Sequence, residues 1–211
     1  MKETYAEAAT FLVSSAARVG DDQWEEPGLG QWTVRQLAGH AGRALDTVQE
    51  YLRATCPDDL EPLPPGADDD PVGGAGEYFL ETHGAPALHD GVAARGREAG
   101  EALGPAPAEA LAALATGVVQ LVAEAPDTAV FVTRFGLHPF ATYLATRVVE
   151  LVVHTVDLCV ACRLEPAIPA GAERVTLAVM AETARRRGVG AEVIGALGGR
   201  VTLPADFNLF G

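Results

Sequence analysis

The stretch that most constrains this chain is PFATYLATRVVELVVHTVDLCVACRL, from Pro139 to Leu164. It is the longest apolar run, yet Arg147, Glu150, His154 and Asp157 stand inside it among valines and leucines. A helix that is apolar on nearly every side is a buried helix. A carboxylate or an imidazole inside such a helix is costly unless something pairs with it. Any fold built around this segment must therefore surround it and supply those polar groups with a partner. Pro139 marks the start, since proline suits the first position of a helix.

The rest of the chain offers further helices. ETYAEAATFLVSSAARV has apolar residues at helical spacing up to Gly20, and the connector DDQWEEPGLGQW follows, broken by Pro27, Gly28 and Gly30. Thr33 with Gln36 three residues later is a capping-box start. It opens TVRQLAGHAGRALDTVQEYLRA, where Val34, Leu37, Ala38, Ala41, Leu45, Val48 and Leu52 form one apolar stripe. From Cys56 to Gly76 the sequence CPDDLEPLPPGADDDPVGGAG is too rich in proline, glycine and aspartate for regular structure, and reads as a long acidic loop with few apolar anchors. A broken helical segment and a firmer helix, PAEALAALATGVVQLVAEA, come next, then the short β-prone stretch TAVFVTRFGLH. Beyond Pro166 and Pro169, AGAERVTLAVMAETARRRG is an amphipathic helix closed by basic residues and Gly188. The tail suggests a short helix and a brief strand. No internal repeat is present. The reading is an all-α helical bundle with a small C-terminal addition, and bundles build metal and ligand sites from inward-facing side chains.

Bulk properties exclude some functions. A net charge of −14 and a pI of about 4.6 argue against nucleic acid or an anionic membrane as partner. Cys56, Cys159 and Cys162 do not make a disulfide framework, and the start MKETYAEAATFLV lacks a signal-peptide pattern. No run approaches the roughly 18 uninterrupted apolar residues of a membrane span. The expected setting is the reducing cytoplasm.

Glu150 and His154, four residues apart, share one helix face. An imidazole nitrogen and a carboxylate oxygen suit zinc or a similar divalent ion. The best third ligand is His40, in the capped second helix between Gly39, Ala41 and Gly42, whose small size lets helices approach closely. Two histidines and one carboxylate leave a coordination position open, as catalytic zinc sites do. Asp157 is placed to hydrogen-bond a ligating imidazole and fix its tautomer. Arg147 is placed to pair with Glu150 or with an anionic substrate. The competing reading of E-x-x-x-H is a plain surface ion pair, against which the surrounding valines speak. Other polar residues have simpler accounts. Cys159 and Cys162 read as core, His83 and His89 as loop residues around Gly84 and Pro86, and His138 as the residue before a helix start. Trp24 and Trp32 read as pins for the connector, and GALGGR is too near the end of the chain for a phosphate cradle.

Three stretches resemble the mycothiol-dependent maleylpyruvate isomerase-like branch of the DinB-like metal-binding superfamily. They are PGLGQWTVRQLAGHAGRAL with its helix-borne histidine, TRVVELVVHTVDL with its R-x-x-E-x-x-x-H-x-x-D-L pattern, and the ending ALGGRVTLPADFNLFG. The resemblance implies a DinB-like four-helix bundle over residues 1–165, with residues 166–211 packed on it as a short extension. It implies His40, Glu150 and His154 as metal ligands and mycothiol as a thiol cosubstrate that reacts with a small electrophile. Maleylpyruvate itself is a poor expectation, because fewer than about fifty residues follow the metal helix and a sizeable C-terminal domain does not fit there. A thiol-dependent isomerase or S-transferase, as monomer or homodimer, is the expectation. A metal- or small-molecule-binding protein without turnover is its alternative.

Overall fold

The structure is a computed structural model that describes residues 1–54, 63, 66–67, 69–82, 86–133 and 136–210, without the side chains of residues 86–90. Cys56, His83 and nearly half of the expected acidic loop lie outside the described residues. The elements in chain order are α1 (Lys2–Ala16), α2 (Val34–Arg53), α3 (Pro71–Thr82), α4 (Pro86–Ala102), α5 (Pro107–Glu124), β1 (Val130–Thr133), β2 (Gly136–Pro139), α6 (Phe140–Cys162), α7 (Ala170–Arg186) and α8 (Gly190–Leu197).

Four of these helices close a ring. α6 packs against α1 and α2, and α5 packs against the same two helices. Their facing residues, among them Tyr5, Leu12, Leu37, Leu45, Leu111, Val118, Leu144 and Leu151, are fully buried and form one core. Each such leucine stabilises the fold by about 1.5–3 kcal/mol relative to exposure. The Tyr5 hydroxyl donates to the Ala44 carbonyl at 3.2 Å, which ties α1 to α2 inside that core. α5 is long and apolar enough to cross a bilayer by length and composition. Its Leu111, Ala115, Val118 and Val122 are instead buried in the bundle.

α2 starts as its sequence dictates. Thr33 Oγ1 accepts from the Gln36 amide at 3.3 Å, and Gln36 Oε1 accepts from the Thr33 amide at 3.2 Å. Two of the orphan donors of the first turn are thereby satisfied. α6 emerges directly from the β1–β2 hairpin, with Pro139 as its N-cap residue and last residue of β2 rather than its first helical residue. It ends at Arg163, whose left-handed conformation (φ 57°) lets the Leu164 amide reach back to the Cys159 carbonyl at 2.8 Å.

Three expectations need correction. The segment up to Gly76 is not loop throughout, because α3 begins at Pro71. Asp70 caps it, its Oδ1 accepting from the Gly73 amide at 2.9 Å. A Cβ on Gly74 would lie 2.7 Å from Thr142 of α6, and one on Gly76 would lie 2.9 Å from Glu182 of α7. The glycines that argue against a helix locally are what admits this helix between α6 and α7, so packing overrides propensity. His89 lies within α4 rather than in a loop. The small residues around His40 serve other neighbours than expected. A Cβ on Gly39 would stand 2.3 Å from the Gly100 amide of α4, and one on Gly42 would stand 2.9 Å from Leu111 of α5. They seat α4 and α5 against α2, and α6 approaches elsewhere.

Outside the ring, α3, α6 and α7 bury Ala75, Phe79, Ala145, Val149 and Val179 in a second cluster, against which Phe210 packs. The expected closing helix is α8. Residues 201–204 after it carry no strand, and the strands lie at 130–139. Cys159 and Cys162 are buried and free, as core residues.

Candidate metal centre

Helix geometry places the first half of the site. Arg147, Glu150, His154 and Asp157 recur at intervals of three and four along α6, so they share one stripe. That stripe is not sealed in the core. The side chains of Glu150 and His154 are 29% and 19% exposed, and both line a cleft of about 520 Å³. On the opposite wall α2 presents His40 and, one and two turns on, Arg43, Ala44 and Thr47.

His40 Nε2 and His154 Nε2 stand 3.2 Å apart, and His154 Nε2 is 3.3 Å from Glu150 Oε2. One ligand atom from each of these three residues lies within 4.8 Å of the others. Around a tetrahedral zinc ion with bonds of about 2.0–2.1 Å, neighbouring ligand atoms sit about 3.3 Å apart. The donor set and its spacing fit such an ion. Hydrogen bonding alone fits less well, because one Nε2 proton on His154 cannot serve both His40 and Glu150.

The neighbours prepare His154 and Glu150 for that role. Asp157 Oδ2 lies 3.1 Å from His154 Nδ1, which places the Nδ1 proton on the carboxylate side, so that the proton at Nε2 is the one a metal would displace. Burial opposes a charge on His154, but the hydrogen bonds to Asp157 and Glu150 outweigh it and hold its pKa at about 9 in the metal-free protein. Burial likewise opposes a charge on Glu150, and the hydrogen bond from His154 with the charge of Arg147 brings it down to about 2. His40 has no such help. Burial first, then the neighbouring His154, lowers its pKa to about 4, so it stays neutral. Its Nδ1 is buried without a hydrogen-bond partner among the described residues.

Arg147 lies one turn before Glu150 on α6. Its Nη2 is 3.9 Å from Glu150 Oε1, and its guanidinium carbon lies 5.0 Å and 5.6 Å from the ring centres of Tyr143 and Tyr78. Burial of the Tyr78 phenol pushes its pKa up to about 12, so it stays protonated.

The structure therefore brings together all five residues singled out in the sequence. Others were not foreseen. Trp32 does more than pin the connector. Its ring lies 4.5 Å from that of His40 and its indole donates to the Ala93 carbonyl of α4 at 3.2 Å. Arg43 and Tyr143 carried a signal, standing three residues after His40 and four before Arg147 on the same helix faces. Tyr78 and Phe210 come from distant segments whose arrival at the cleft no spacing announces.

A family model described as the mycothiol maleylpyruvate isomerase N-terminal domain matches residues 5–159. The chain belongs to that family. The matched span contains the whole α2–α6 site and ends inside α6, so α7, α8 and the tail with Phe210 lie beyond it. No curated protein and no solved structure matches the chain. Membership ties the chain to the mycothiol-associated DinB-like bundles, and the particular reaction is a separate question.

Proposed function

We propose that this protein is a metal-dependent enzyme that activates a low-molecular-weight thiol, mycothiol, for addition or transfer to a small electrophile in the cytoplasm. The observation that carries this reading is the convergence of His40 Nε2, His154 Nε2 and a Glu150 oxygen on one point at the wall of an open cleft. A divalent cation bound there, zinc by donor type, supplies the positive charge that favours the ionised, nucleophilic form of a thiol.

The chain's own residues do the rest. Asp157 fixes the His154 tautomer and orientation. His154, and after it Arg147, keeps Glu150 ionised and thus able to ligate. Trp32 braces the His40 ring, whose Nδ1 has no hydrogen-bond partner among the described residues. The cleft, about 520 Å³ in volume, opens beside the three ligand residues. That open volume favours turnover over the alternative of a closed, merely metal-binding site.

The test is cobalt substitution. Cobalt-loaded protein titrated with mycothiol is expected to develop a near-ultraviolet sulfur-to-cobalt absorption band, absent in Glu150→Gln. Screening of mycothiol with electrophiles follows. A cobalt spectrum that mycothiol leaves unchanged would remove the thiol from the reading.

A further inference from the structure

The cleft around the ligand triad has a composition of its own. Six aromatic side chains, Trp32, Tyr51, Tyr78, Phe79, Tyr143 and Phe210, line it. So do three arginines, Arg43, Arg95 and Arg147, against two carboxylates, Glu50 and Glu150. In a chain with 29 acidic and 15 basic residues, an excess of positive charge in one cleft runs against the general balance.

Arg147 lies deepest, with only 11% of its side chain exposed. Its one hydrogen bond among the described residues runs from Nε to Thr146 Oγ1 at 3.1 Å. The nearest carboxylate oxygen, Glu150 Oε1, is 3.9 Å away, beyond hydrogen-bond distance, while Oε2 of the same group faces His154. The faces of Tyr143 and Tyr78 offset part of its desolvation. A guanidinium has five donors in a planar fork that matches a carboxylate. This one therefore presents terminal donors to the cleft, beside His154 and Glu150, with no acceptor of matching geometry among the described residues.

Part of the cleft's lining is apolar and comes from outside the family-matched span. Arg187 donates through Nη1 to the carbonyls of Asn208, at 2.7 Å, and Leu209. That clamp holds Phe210 against Phe79, with ring centres 4.5 Å apart, at the edge of the cleft.

We propose that the cleft binds a planar aromatic or extended conjugated molecule with a single anionic head. The head pairs with Arg147 and the flat body lies along the rings of Tyr78, Phe79 and Phe210 that line the cleft. This names the class of the electrophile and rests on the thiol-transfer reading only for what happens after binding, since the binding itself needs no metal. A pocket of this size and aromatic content suits such a molecule better than a small doubly charged acid, which would leave the rings unused.

The test is calorimetric titration of metal-free and zinc-loaded protein with trans-cinnamate, cinnamamide and maleate. Cinnamate is expected to bind both forms about tenfold or more tighter than its neutral amide, the scale of a charge-assisted hydrogen-bonded pair, and also tighter than maleate. Arg147→Gln removes the preference for the acid, and Arg147→Lys restores part of it. Phe210→Ala weakens acid and amide alike while leaving zinc content unchanged. Equal affinity for acid and amide overturns the proposal. So does tighter binding of maleate, or cinnamate binding that requires zinc and survives Arg147→Gln. Should Arg147→Gln fail to fold by circular dichroism, the wild-type comparison and Phe210→Ala still decide. Zinc content, measured on the same samples, judges the metal site separately.

Discussion

Glu150 and His154 hold opposite charges in the metal-free protein, and that pairing sets how the proposed site would take up a metal. At pH 7 the His154 imidazole carries a proton, since its pKa is about 9, whereas Glu150, at about 2, and His40, at about 4, carry none. Only His154 must give up a proton to ligate, so zinc uptake at pH 7 releases about one proton and uptake above pH 9 releases almost none. Apparent affinity accordingly falls about tenfold for each pH unit below 9 until other groups titrate. Calorimetry in two buffers of different ionisation enthalpy reads that proton directly. Asp157→Asn keeps the shape but weakens the acceptor for Nδ1–H, and is expected to reduce zinc affinity by about 10–100-fold with the helical content unchanged. The Glu150–His154 pair was legible in the sequence because helical spacing alone puts the two on one face. The meeting with His40 was not fixed by spacing, for it depends on how α2 and α6 pack.

At the scale of elements, the sequence spoke clearly where local chemistry decides. The Thr33–Gln36 capping box and the apolar stripe of α2 appear where they were expected. It misled where packing decides, as in α3, whose glycines look like a loop and are the points of closest approach to α6 and α7. The same physics makes Gly39 a test position. A Cβ there would stand 2.3 Å from the Gly100 backbone, so α4 must move outward. Gly39→Ala is expected to cost about 1–3 kcal/mol, measured by urea unfolding. Trp32 is tethered to Ala93 of α4 and leans on His40. The outward shift of α4 should therefore change its fluorescence and weaken zinc binding, although Gly39 itself does not line the cleft.

On the scale of the whole molecule, the ligand triad is a potential cross-link between α2 and α6, two of the four helices that close the core. A ligand that binds only the folded chain, at a hundred times its dissociation constant, adds about 2.7 kcal/mol. For a chain of this size that raises Tm by about 5–10 °C, a gain that a chelator should remove. The bundle could be read from the sequence because its long amphipathic helices repeat at the helical period. The cleft could not, because its wall joins α2, α3, α6 and a residue from the end of the described tail, brought together only by the fold. The central claim is that His40, Glu150 and His154 hold one divalent ion. Elemental analysis of untagged protein, alongside His40→Ala and Glu150→Gln, tests it most directly. The expected result is about one equivalent of metal in the wild type, lost or sharply reduced in both variants while each stays helical. Wild-type protein that holds no metal even after zinc is added would contradict the account and leave Glu150 and His154 as a buried ion pair.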